Sequence, residues 1–111
     1  MDARLIYITA GSLDEAKTLG RTLVEERLAA CANILPGMTS VYWWQGEAQH
    51  DEEVVVIAKT RADLVDALTE RVLEVHSYSC PCVVALPIDG GNPAFLRWIM
   101  EETAEAPPTV A

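Results

Sequence analysis

The order of elements along the chain predicts an α+β fold: a four-stranded antiparallel sheet, two helices packed on one of its faces, and a further C-terminal helix. Three observations carry this expectation. Four stretches are rich in β-branched and aromatic residues, as strands are. Two amphipathic helical patterns separate the first stretch from the second and the third from the fourth. Turn and cap residues mark the joints, among them Ala10-Gly11, Pro36-Gly37 and Asn92-Pro93.

Arg4 to Thr9 is a short β-rich run that Ala10-Gly11 ends. Ser12 stands three residues before Glu15, the spacing of a capping box, in which the hydroxyl accepts a backbone N–H and the carboxylate reaches back. Leu13, Ala16, Gly20, Leu23, Val24 and Leu28 recur at helical spacing, so a helix is predicted from about Leu13 to Leu28. A long apolar stretch follows, broken only at Pro36-Gly37, where a kink or bulge is expected because proline donates nothing to a sheet ladder. Ser40, Tyr42, Trp44 and Gly46 then share one strand face, and Val41 and Trp43 share the other. A strand apolar on both faces needs cover on both sides. In a chain this small one core covers one face, and a partner must cover the other.

Gly46 to Glu52 is polar and reads as a hairpin loop, with Glu53 to Thr60 returning as an apolar strand suited to a central position. Thr60, three residues before Asp63, reads as the cap of a second helix, with Leu64, Val65, Leu68, Val72 and Val75 as its buried stripe. His76 to Pro81 reads as irregular, Cys82 to Ile88 as the last strand, and Asp89-Gly90-Gly91 as a turn. Asn92-Pro93 opens a final helix with Phe95, Leu96, Ile99 and Met100 on its apolar face and Trp98 beside them. The order β-α-β-β-α-β is that of the ferredoxin-like sandwich, which leaves one sheet face bare. Symmetric self-association is the common way to hide such a face. Residues 1–104 are expected to form one domain and 105–111 an acidic, proline-containing tail that frays into solvent.

At 111 residues, half of them apolar, the chain holds material for one core. Its 17 acidic and 8 basic side chains give a formal charge of −9, which repels phosphate backbones and anionic membranes. Nucleic acid is therefore not an expected partner. No segment reaches the ~20 apolar residues of a membrane helix, and Met1 to Arg4 lacks the layout of a secretory signal. Three cysteines, an odd number, do not make a disulfide framework, so a reducing cytoplasm is expected.

Six ordered motifs span nearly the whole chain: LAAC-A-NI from Leu28 to Ile34, S-x-Y-x-W-x-G from Ser40 to Gly46, the Glu53 to Thr60 stretch ending in Lys59-Thr60, H-x-Y-x-x-P from His76 to Pro81, Leu86-Pro87-Ile88, and F-L-x-W from Phe95 to Trp98. Together they resemble the CutA1, or divalent-cation tolerance, family. The resemblance implies a ferredoxin-like protomer, a tight homotrimer, and a role in tolerance of divalent metals, mainly copper, with no established reaction. The chain also resembles the similarly built trimeric PII signalling proteins. It departs from the CutA1 pattern where that family reads H-P-Y-E-x-P-E. Here His76-Ser77-Tyr78-Ser79-Cys80-Pro81-Cys82 lacks both glutamates and carries two thiols instead. The first strand, with Tyr7-Ile8-Thr9, also lacks the cysteine found in some members.

Cys80 and Cys82 are two residues apart, about 6.6 Å between Cα atoms in extended chain, which suits two thiolates on one ion. Thiolates favour soft ions, Cu(I) and Zn(II) above all, and His76 could add an imidazole. His76, Cys80 and Cys82 are thus the candidate metal ligands, for copper or another divalent ion, against the alternative that both thiols are structural. Cys31, at a helix-to-strand joint, reads as a structural thiol, and His50 as part of a solvated loop. Lys59, the one cation in its strand, either lines an intersubunit pocket or snorkels past the strand end. Tyr42, Trp44 and Tyr78 join it as candidate pocket residues, otherwise belonging to interface and core. No nucleophile elbow, zinc-protease helix or phosphate loop is present, so no enzyme is expected. Two functions compete: a homotrimer that binds or senses metal ions, and a PII-like trimer holding a small anionic effector against Lys59.

Overall fold

The computed structural model describes residues 2–103; the expected tail at 105–111 lies outside them. Four strands, β1 (Ala3–Ala10), β2 (Cys31–Trp44), β3 (Glu47–Arg61) and β4 (Val83–Ile88), form one sheet in the order β2-β3-β1-β4. Every neighbouring pair is antiparallel. With α1 (Leu13–Glu25) and α2 (Val65–Val75), this is the ferredoxin-like sandwich. The third helix, α3 (Pro93–Glu102), follows β4.

The core lies between the sheet and the first two helices. Ile6, Ile8 and Ala10 of β1 alternate with outward residues, as do Val54, Val56 and Ala58 of β3. They meet Ala16, Leu19 and Leu23 of α1 and Leu68 and Val72 of α2. Leu13, Val24 and Val75, expected inside, stay more than a third exposed because each sits at the margin of its helical stripe. The helix α3 makes its own small cluster, with Ile99 against Ala3 and Ala30. By strand alternation Ala3 is on the face of Leu5 and Tyr7, so this helix covers only one end of the otherwise open face.

The caps follow the sequence in part. Ser12 Oγ accepts from the Glu15 N–H at 3.1 Å, and Asn92 Oδ1 accepts from the Ala94 N–H at 3.0 Å. The Glu15 carboxylate, however, crosses to Ser77, a use that helix rules do not foresee. The first helix ends at Glu25 rather than Leu28, because Arg27 takes a left-handed φ of 63°. Thr60 is not a cap: it is a buried residue of β3 whose hydroxyl donates to the Leu28 carbonyl at 2.7 Å. A single 3₁₀ turn, Ala62–Leu64, leads into α2 instead.

The largest correction concerns the hairpin. Residues 47–52 are strand, and only Gln45 and Gly46, both at positive φ, make the turn. Pairing runs from Cys31↔Lys59 out to Trp44↔Glu47, whereas β1 reaches only to Val54. Past that point β2 and β3 project as a bare two-stranded ribbon. One extra residue between Leu35 and Met38 makes the expected bulge, with Gly37 at φ +83°. Its effect is a change of parity: Met38 pairs with Glu53, so Met38, Ser40, Tyr42 and Trp44 all fall on the open face of the sheet.

Candidate functional site

A cleft of about 720 Å³ opens where the ribbon leaves the sheet. Tyr7 and Thr9 of β1 form its floor, and Met38, Tyr42 and Trp44 of β2 and Glu53 of β3 form one wall. The segment between α2 and β4 forms the other, with Tyr78, Cys80 and Cys82. The bulge is what aims the β2 side chains here, since without the extra residue they would turn to the opposite face.

The segment carrying the thiols is pinned by His76 and Glu15. The imidazole is fully buried, Nε2 lying 2.8 Å from the Thr9 carbonyl oxygen, while the Tyr78 N–H donates to Nδ1 at 3.0 Å. A carbonyl can only accept and an amide N–H can only donate, so the ring is neutral with its proton on Nε2. Glu15 accepts from the Ser77 N–H at 2.8 Å and from the Ser77 hydroxyl at 2.9 Å. Burial pushes the Glu15 carboxyl up, but the hydrogen bonds from the Ser77 N–H and hydroxyl, with a backbone bond from Gly11, outweigh it and hold the group below its ordinary value.

Tyr78 lies against His76, with ring centroids 4.6 Å apart, and its hydroxyl donates to Glu53 at 2.9 Å. Burial and the Glu53 carboxylate push its phenol well above the ordinary range. Tyr42 donates to Asp51 across the ribbon, which raises its phenol as well. Burial, with Glu53 close by, pushes the Cys82 thiol up. Tyr7 donates its hydroxyl to Met38 Sδ at 3.2 Å, fixing that thioether at the cleft wall.

The structure thus brings together Tyr42, Trp44 and Tyr78 with Cys80 and Cys82. It sets His76 behind the wall, both ring nitrogens engaged. Lys59 stands apart: its ammonium donates to Asn33 Oδ1 at 2.8 Å and lies 3.8 Å from Cys31 Sγ, near the other end of the sheet. Among the described residues no three of His, Cys, Asp and Glu gather as metal ligands would. Cys31, Cys80 and Cys82 are all free thiols. Sequence reasoning missed Met38 and Tyr7. Stepping back by two from Ser40, Tyr42 and Trp44 reaches Met38, but the signal is hidden by uncertainty over where the bulge falls.

Fold and cleft define a class: a ferredoxin-like α+β protein that carries a long apolar ribbon and an aromatic, thiol-bearing cleft at its root. The family described as "CutA1 divalent ion tolerance protein" matches residues 4–102. "Divalent-cation tolerance protein CutA" of Thermus thermophilus is 48% identical over 99 residues, which span 89% of this chain and 96% of that protein. "Protein CutA 1, chloroplastic" of Oryza sativa subsp. japonica is 47% identical over 102 residues, 92% of this chain and 58% of that longer protein. The crystal structure of CutA1 from Oryza sativa superposes with a TM-score of 0.92 at 46% identity, covering 95% of this chain and 96% of that one. The chain belongs to the CutA1 divalent ion tolerance family. Nothing in these similarities supports the PII-like reading, and the lysine it relied on lies outside the cleft.

Proposed function

We propose that this protein confers tolerance to divalent metal ions, copper above all, as a non-enzymatic homotrimer that binds or senses the ion. The observation that carries the reading is the ribbon. Val41 is 74% exposed and Trp43 78% exposed on one face, with Tyr42 and Trp44 on the other. Apolar groups of this size on a bare ribbon mark an association surface. The open sheet face supplies a matching patch in Leu35, Val84 and Leu86, all about half exposed. The ribbon and the sheet face are different patches, so ribbon-on-sheet contact is head-to-tail, the kind of contact that builds a ring when the rotation between copies closes. Three is the order that family resemblance implies. In such a ring the cleft of Tyr42, Trp44 and Tyr78 lies between subunits.

A reducing compartment such as the cytoplasm suits three free thiols. The rice relative is named chloroplastic and the solved CutA of Archaeoglobus fulgidus is described as periplasmic, so compartment is not constant among relatives. Among the described residues no helix is long and apolar enough to cross a membrane. Growth of a deletion strain on graded copper tests the reading. Lost tolerance that the intact gene restores supports it, and unchanged growth with copper, zinc and cadmium alike contradicts it.

A further inference from the structure

We infer that Cys80 and Cys82 form a redox-modification site, a dithiol that closes to a disulfide by exchange with a low-molecular-weight disulfide. Both thiols are free, Cys80 exposed and Cys82 half-buried. The two peptide units between them hold their Cα atoms at most about 7 Å apart. A disulfide bridges Cα atoms about 4.4–6.8 Å apart. Closure thus asks for a modest bend of this one stretch, and residues 77–80 are already bent. The fold leaves room for it. His76 and Ser77 are anchored to Thr9 and Glu15, and the Tyr78 hydroxyl to Glu53. Strand β4 pairs with β1 only from Val83 onward. Ser79 to Cys82 lie between these anchors, outside helix and strand. Cys31 does not compete, because it stands opposite Lys59 on β2, at the far edge of the sheet from β4.

The two thiols take different parts. Cys80, open to solvent, is the attacking group. Burial, with Glu53 close by, pushes the Cys82 thiol up and leaves it the poorer nucleophile near neutrality. The Cys80 thiolate attacks one sulfur of the small disulfide, forming a mixed disulfide and expelling one thiolate. Cys82 then attacks the Cys80 sulfur and expels the second. Two electrons pass from the protein dithiol to the small disulfide, which leaves as two thiols carrying the two protons that the cysteines lose. The closed ring spans only Cys80, Pro81 and Cys82, so it gains little from chain entropy. Pro81, with its φ fixed, limits how far strain in the ring can relax. The bond is therefore easily reduced, as regulatory disulfides are and structural ones are not. Closure takes both thiolates out of the cleft wall. This chemistry needs no metal and does not rest on the tolerance reading.

The test equilibrates the reduced, metal-free full-length protein in anaerobic glutathione buffers of graded ratio. The remaining thiols are then alkylated in denaturant and mapped by mass spectrometry. Cys80 and Cys82 should be lost together, in one peptide lighter by two hydrogens, with Cys31 alkylated throughout and dithiothreitol reversing the change. Cys82→Ser should stop at the mixed disulfide, with one glutathione on Cys80. Cys80→Ser should react at least about 10-fold more slowly than the parent, because the half-buried thiol supplies less thiolate. Both thiols left free in excess oxidised glutathione would overturn the site. So would a lasting glutathione adduct on Cys80 of the parent, or a disulfide that includes Cys31. Equal rates in the two single variants would overturn the assignment of Cys80 as the attacking thiol.

Discussion

His76, Tyr78 and Glu15 show how single residues set the cleft wall. The carboxylate of Glu15 was readable as half of a capping box, yet it spends its acceptors on Ser77. Helix rules could not reveal this, because Ser77 is 62 residues away in sequence. The consequence is a pH dependence of known sign. The folded-state pKa of Glu15 lies below its ordinary 4.5, so its contribution is present above that value and is lost as pH falls through the lower folded value. Glu15→Gln should therefore cost about 1 kcal/mol near neutrality, the scale of a hydrogen bond to a charged group seen from a partly exposed site. The gap to the parent in chemical denaturation should close in acid. A gap that stays constant below pH ~4 would contradict it. Tyr78 gives the opposite sign: with its phenol raised above 10.0, its share of stability is complete below that pH and lost above it. Tyr78→Phe should cost ~1 kcal/mol and remove a late step from the alkaline tyrosinate titration. Loss of an early step instead would mean that the Glu53 bond is not formed.

At the scale of elements, most of the sandwich was legible because local chemistry and tertiary packing agree. Asn92-Pro93 opens a helix, Pro36-Gly37 makes the bulge, and the apolar run ending at Thr60 is a central strand. The ribbon was not legible. Residues 47–52 carry acidic and polar side chains that read as loop, and they are strand only because β2 pairs with them residue by residue. Thr60 misled for the converse reason, a cap-forming residue buried inside a strand. Gly20 shows the contact that docks α1 on β2: a Cβ there would meet Ala32 Cβ and Ile34 Cδ1, each at 3.2 Å. Alanine improves helix propensity by ~1 kcal/mol, but Ala32 Cβ is fixed to the backbone and cannot yield. Gly20→Ala is expected to be net destabilising by about 1 kcal/mol. A rise in melting temperature would show that the helix can lift away from the sheet freely.

The whole molecule is explained by what one protomer leaves uncovered. A charge of −9 gives nucleic acid nothing to hold, and micromolar binding to arbitrary DNA at physiological salt would contradict that account. The candidate site was half legible at this scale. The thiol pair is written in the sequence, while the bond between Tyr7 and Met38 and the engagement of His76 depend on contacts between distant segments. Both uncovered surfaces, ribbon and sheet face, are apolar, and the account holds that copies of the chain cover them. Trp44→Ala should then weaken assembly more than it weakens the protomer, since Trp44 is already 45% exposed there and large aromatics dominate interface energetics. The most direct test is the mass of the untagged protein in solution, by sedimentation equilibrium at micromolar concentration. The account predicts a single species of three times the 12.1 kDa protomer mass, shifted toward smaller species by Trp44→Ala. A stable monomer with its ribbon aromatics open to solvent would contradict it.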